Sequence, residues 1–213
     1  MTLQQNTQAR AIFLDFEASS LMQGSFPIEV AWVNESGQGE AYLIRPAPCW
    51  LDEALGHPGW SRESQAIHGI KLATLMSAGV SHERVASRAA RILAAPNVVV
   101  CSDAPEFDSF WLRTLFSAAG LPTKVAIEDV ADVYVRACLP LLRLLPPAED
   151  AARPEAELRV RGIASEIIAN AEHQESLRPR TQHRALPDAE SLWRVWRAIG
   201  SEVQRRLALE AKA

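Results

Sequence analysis

Hydrophobic and polar positions alternate with a period of two along much of the first fifty residues. In AIFLDFE (11–17), Ile12, Leu14 and Phe16 fall on one face, and Phe13, Asp15 and Glu17 on the other. FPIEVAWV (26–33) sets Phe26, Ile28, Val30 and Trp32 against Pro27, Glu29, Ala31 and Val33. NESGQG (34–39) is a turn cluster, and EAYLIRP (40–46) reads as a third strand closed by Pro46. The short links between these segments predict an antiparallel meander. Residues 50–80 read as a long connection with short helical pieces such as SRESQAIHGI. The period then lengthens. Ser81 is placed as the N-cap of a helix to about residue 94, with Val85, Ala89 and Ile92 on one face. NVVVCS (97–102) is a continuous apolar run, the mark of a strand buried on both faces. A helix follows over 105–119, with Asp103 as the expected N-cap and Gly120 and Pro122 as the stop. KVAIED (124–129) is a fifth strand, followed by a helical stretch to about 145. Two further helices are expected at 154–172 and 186–209. The pattern predicts a single α/β domain over 1–213. Its expected core is a mixed five-stranded sheet, three antiparallel strands then two parallel, flanked by helices.

Composition narrows the class. The chain has 213 residues, 48% hydrophobic and 23% charged, as in ordinary globular proteins. No apolar run approaches the length of a membrane span, so no membrane partner is expected. The opening MTLQQNTQAR has no apolar core of a signal peptide. Cys49, Cys101 and Cys138 are odd in number and lack CxxC spacing. That argues against a disulfide framework or a structural zinc and fits a cytoplasmic location. The net charge of -4 gives no overall nucleic-acid signature. Arginines near the C-terminal end, Arg178, Arg180 and Arg184, read either as a basic surface or as a solvated loop.

Three features carry chemistry. Asp15 and Glu17, at i and i+2, share one face of an otherwise apolar strand. Like charges so close repel, and burying them is costly without a cation between them. They are read either as an acidic edge-strand face or as a metal-binding pair. In CSDAPEFDSFWL (101–112), Asp108 opens a helix with an apolar face and is not needed as its N-cap; the plain reading is a surface acid of the first turn. In TQHRALPDAESLWRVW (181–196), Pro187 suits a first helical turn and Asp188 enriches it in negative charge. His183 lies on the loop before it, so the pair reads either as an ordinary helix start or as a general base beside a metal ligand.

Taken together, D-x-E on the first strand, F-D opening a central helix and H-x4-D opening a late helix resemble the DEDDh family of 3′–5′ exonucleases. That group includes proofreading exonuclease subunits, oligoribonuclease and ribonuclease T. PIEVAWV resembles the family's second strand, with Glu29 in its usual place and read as structural. The resemblance implies an RNase H-like fold and two Mg²⁺ or Mn²⁺ ions held by Asp15, Glu17, Asp108 and Asp188. It makes His183 the general base and single-stranded nucleic acid 3′ ends the partner, as DNA or short RNA. The product would be a nucleoside 5′-monophosphate. Hard carboxylate oxygens independently suit Mg²⁺ or Mn²⁺.

Substrate contacts are expected from His68, in the IHGI segment that borders the family's nucleotide pocket, and from Phe107, which can stack on a base. Ala18 stands where Thr or Ser is frequent, so a sugar contact there is either lost or shifted to Ser19. Ser102-Asp103-Ala104 replaces a frequent His-Asn and adds an acid near the metals. Trp60 is a further stacking candidate, whereas Trp111 is read as core. Two other readings are weighed. A non-catalytic RNase H-like module binding nucleic acid or a partner would be marked by loss of a metal acid. Glycoside hydrolysis also pairs carboxylates, but they usually come from different strands. DVYVRACLPLLRLL (132–145) is apolar enough for core or for the face of a homodimer.

Overall fold

The alternation of the N-terminal segments becomes a sheet. Strand β1 (Arg10–Ala18) pairs antiparallel with β2 (Pro27–Asn34), which pairs antiparallel with β3 (Gly39–Arg45). On its other side β1 pairs parallel with β5 (Val98–Ser102), and β5 pairs parallel with β6 (Ile127–Asp129). A two-residue strand, β4 (Val80–Ser81), joins β3 in parallel, so the sheet has six strands in the order β4-β3-β2-β1-β5-β6. The sequence pattern predicted five; β4 is too short to show any alternation. The computed structural model describes residues 10–51, 59–122, 124–179 and 183–211. These belong to two compact units: Met1–Asp129 with Thr181–Glu190, and Val130–Arg180 with Ser191–Ala213.

In the first unit, the apolar face of β1 packs against helices α3 (His82–Leu93) and α4 (Pro105–Ala118). Ile12, Leu14 and Phe16 meet Val85, Ala89, Trp111, Leu115 and Phe116 in one core. Each such side chain contributes about 1.5–3 kcal/mol of burial. β1 therefore sits rigidly at the sheet's centre, its polar face locked to the opposite side. A smaller cluster of Phe26, Ile28, Ile70 and Leu75 ties in the short helices α1 (Arg62–His68) and α2 (Leu72–Ala78). Gly69 ends α1 in the left-handed conformation, at φ 71°.

Ser81 stands at the N-cap of α3 as expected. Asp103 is not the N-cap of α4; Ala104 is. Proline is favoured at the first helical position, so Pro105 sets the start one residue later.

The second unit holds α5 (Val130–Ala137), a 3-10 segment (Leu139–Leu144), α6 (Arg153–Ser176) and most of α7 (Ala185–Glu210). The stretch expected to be helical to 145 stops being α-helical at Ala137. Pro140 cannot donate the next backbone bond, and the chain tightens into 3-10 geometry. Val133, Tyr134, Cys138 and Leu141 are buried there, whereas Val135, Leu139 and Leu142 are about half exposed. Among the described residues no helix is long and apolar enough to cross a membrane.

Candidate active site

The polar face of β1 carries Asp15 and Glu17, and antiparallel register determines what faces them. Asp15 lies opposite Ala31 and Glu17 opposite Glu29. Residues paired across two strands share a face, so β2 adds a third acid to it. The N-terminus of α7 supplies Asp188. One carboxylate oxygen each from Asp15, Glu17 and Asp188 lies within 4.8 Å of the other two.

Asp108 comes from the first turn of α4. Its side chain turns inward: the residue is 2% exposed. The Ser102 hydroxyl and the Phe16 backbone amide lie against it and draw its pKa down, but burial prevails and pushes it up to about 7, with Asp103 adding to the rise. Burial likewise raises Asp15 well above the usual carboxylate range, with Asp108, Glu17, Asp188 and Asp103 reinforcing the shift. Glu17 is raised to about 8 by burial first, then by repulsion from Asp188 and Glu29, against a lowering by Arg184. Asp15 Oδ2 and Asp108 Oδ2 are buried without a hydrogen-bond partner. Such atoms cost free energy unless a ligand satisfies them. Close-set, hard, acceptor-only oxygens fit a divalent cation.

Glu29 has the opposite surroundings. It is 4% exposed and accepts Arg184 Nε (2.9 Å) and Nη2 (2.7 Å) in a bidentate pair. Its Oε2 also accepts the Ala185 N–H at 3.1 Å. Arg184 is thus neither a solvated loop residue nor an open basic surface; Glu29 holds it. Arg180 lies outside the described residues. The Arg184 backbone N–H donates to Asp188 Oδ2 (3.2 Å), while Asp188 N–H donates to the Arg184 carbonyl (3.2 Å). The second bond is the ordinary first turn of the helix, and the first orients the Asp188 carboxylate at the helix start. His183 is exposed and adopts φ 57°, a left-handed conformation uncommon outside glycine.

His68, the last residue of α1, is buried. Its Nδ1 accepts the Ile70 N–H at 3.0 Å, and its Nε2 has no partner. Burial lowers its pKa, while Glu29, Arg184 and His183 all act on it electrostatically, which places it beside the start of α7. A neutral ring whose Nδ1 accepts must carry its proton on Nε2. Phe107 is half exposed and stacks on Trp111, at 5.7 Å between centroids. Trp111 is core, and its Nε1 donates to Ser25 Oγ (3.1 Å). Ala18 and Ser19 are both buried, and the Ser19 hydroxyl accepts the Phe26 N–H (2.9 Å). That hydroxyl serves the turn after β1.

The structure therefore brings Asp15, Glu17 and Asp188 together directly, and sets Asp108 where it acts on Asp15. Sequence reasoning did not single out Ser102 or the Arg184 pairing. A buried glutamate in an apolar strand needs a cation, and that was the available signal for the latter.

Solved structures of exonuclease I share this architecture. A zinc-bound complex of E. coli exonuclease I with single-stranded DNA matches with a TM-score of 0.61 at 16% identity, over 95% of this chain and 42% of that one. E. coli exonuclease I with a dT13 oligonucleotide matches at 0.58 and 17% identity, over 94% and 42%. A product-bound exonuclease I matches at 0.58 and 14% identity, over 91% and 44%. This chain spans less than half the length of those proteins. The likeness establishes a shared RNase H-like fold. No protein-family model matches the sequence, and no curated protein does.

Proposed function

We propose that the chain is a DEDDh-type, metal-dependent 3′–5′ exonuclease. Residues 1–213 would act as one exonuclease domain, releasing nucleoside 5′-monophosphates from single-stranded DNA or short RNA. The observation that carries this reading is the convergence of Asp15, Glu17 and Asp188 within 4.8 Å of one another, with unsatisfied oxygens on Asp15 and Asp108. Asp15, Glu17 and Asp188 would hold one Mg²⁺ or Mn²⁺, and Asp108, with Asp15, a second. Bound there, such cations supply water activation and neutralise charge developing on a phosphodiester. The likeness to exonuclease I, which is solved with single-stranded DNA, supports the choice of substrate class.

The remaining steps fall to the chain's own side chains. His183, exposed on the loop before α7, accepts the proton of the attacking water and passes it to solvent. Asp188 keeps its orientation through the Arg184 backbone N–H. The His68 Nε2–H donates to an oxygen of the terminal nucleotide, which satisfies that buried donor. Phe107, backed by Trp111, offers a ring face to a base.

The test is a panel of end-labelled single-stranded DNA, duplex DNA and short RNA with Mg²⁺ or Mn²⁺. Expected are stepwise shortening from the 3′ end and release of mononucleotides. EDTA abolishes both, and Asp15→Ala lowers the rate on the order of a thousandfold or more. Strong residual cleavage by that variant, or activity after metal removal, overturns the reading. A non-catalytic module would instead retain the strand and release nothing.

A further inference from the structure

We propose that Arg184 is a positioning residue: by clamping the start of α7 to Glu29 it fixes the backbone of His183, the general base of the reading above. The inference rests on the exonuclease reading above. His183 occupies φ 57°, a left-handed conformation that a non-glycine residue keeps only where its neighbours hold it there. The compensation is at the next residue. The Arg184 guanidinium makes two charge-assisted bonds to Glu29, and the adjoining Ala185 N–H adds a third.

Glu29 is a firm anchor. It lies within the central strand β2, in register with Glu17, and its side chain is 5% exposed against 40% for Arg184. The guanidinium thus reaches inward from the surface to a fixed point at the level of the metal-binding acids. Leu186 adds a second support, since a Cβ built on Gly39 would lie 2.7 Å from its Cδ1.

The geometry separates two roles. Asp188 is oriented by the Arg184 backbone N–H, which any substitution except proline keeps. His183 depends on the side-chain clamp. Removing the guanidinium should therefore impair proton transfer more than metal binding, which loses only the lowering that Arg184 exerts on Glu17. A simple charge-neutralising role for Arg184 predicts something else: lysine would suffice, because it supplies the charge without the fork.

The experiment compares the full-length wild type with Arg184→Ala and Arg184→Lys. Expected is a fall in kcat of about 100-fold for Ala and about tenfold for Lys, the range typical of residues that orient a reacting group. KM should stay within about twofold, and so should the calorimetric affinity for Mn²⁺ in Arg184→Lys, which keeps the positive charge near Glu17. Hydrogen exchange at the amides of 183–185 should rise in both variants. Arg88→Ala is the control, because it breaks another bidentate pair, with Glu40 on β3, and should leave kcat unchanged.

Wild-type kcat and unchanged exchange in Arg184→Lys would overturn the clamp. So would loss of Mn²⁺ affinity in step with kcat in Arg184→Ala, which would place the effect on the acids. Should the Ala variant fail to fold, Arg184→Lys decides alone. If the wild type shortens no strand with Mn²⁺, the exonuclease reading fails, and exchange still judges the clamp: unchanged protection at 183–185 overturns it.

Discussion

Glu175 on α6 and Asp108 on α4 are both buried acids, and they have opposite company. Glu175 accepts Arg178 Nε at 3.2 Å and Arg194 Nε at 2.8 Å. Asp108 has a serine hydroxyl and a backbone amide beside it, and Asp103 raises its pKa further. The first arrangement is closed, because the arginines that repay the acid's desolvation are built in. The second is repeated at Asp15 and Glu17, where acids face acids. Two unit charges about 4 Å apart repel by about 4 kcal/mol at an effective dielectric of about 20. The side chains of β1 in the core with α3 and α4, Ile12, Leu14 and Phe16, lie on its other face, so that core does not draw on the three acids. A buried acid beside arginine serves the fold; buried acids beside acids hold their protons more tightly and could hold a cation.

The largest expected difference between the two regions is their response to metal. Mn²⁺ at about 100 times its dissociation constant should stabilise the wild type by about 2.7 kcal/mol, read as a rise in melting temperature. Asp108→Asn should shrink that rise and Glu175→Gln should leave it intact. A rise that survives in Asp108→Asn but vanishes in Glu175→Gln would reverse the comparison.

A smaller contrast concerns the metal-free protein. Glu175→Gln should destabilise it by about 1–3 kcal/mol in urea unfolding, because charge-assisted bonds are lost. Asp108→Asn should shift stability the other way, since it removes a charge that burial opposes.

The smallest effect is the pH slope, softened by solvent around the partly exposed Glu17. Folding raises Glu17 from 4.5 to about 8 and Asp108 from 3.8 to about 7. Between those limits the folded state binds more protons than the unfolded one, so stability falls as pH rises. Metal-free melting temperature should therefore drop from about pH 5 to about pH 8, and Glu17→Gln should flatten the drop. A melting temperature that climbs over this range would show that the acids are relieved by partners within the chain.

Much of the arrangement is local and hence legible in sequence. Strand alternation places Asp15 and Glu17 on one face whatever the rest of the fold does. The helix after β5 is marked by Pro105 and its stop by Gly120. Other features are not local. Asp103 reads as an N-cap on propensity, yet Pro105 shifts the helix start and leaves Asp103 exposed, where it adds to the proton affinity of Asp15 and Asp108. Ser19 reads as a substrate contact, yet a hydroxyl that accepts Phe26 N–H and is fully buried is committed to the turn.

The sequence by itself determined the order and type of the main elements, the shared face of Asp15 and Glu17, and the identities of the acids and histidine resembling a nuclease set. Those follow from periodicity and residue chemistry, which act over a few positions. Only the tertiary structure decided that Asp188 meets Asp15 and Glu17, and that Arg184 closes on Glu29 across 155 positions of chain. Register between β1 and β2 sets Glu29 opposite Glu17, and burial then obliges that glutamate to find a cation. Pairings of this kind depend on which segments pack together, and no local pattern encodes them.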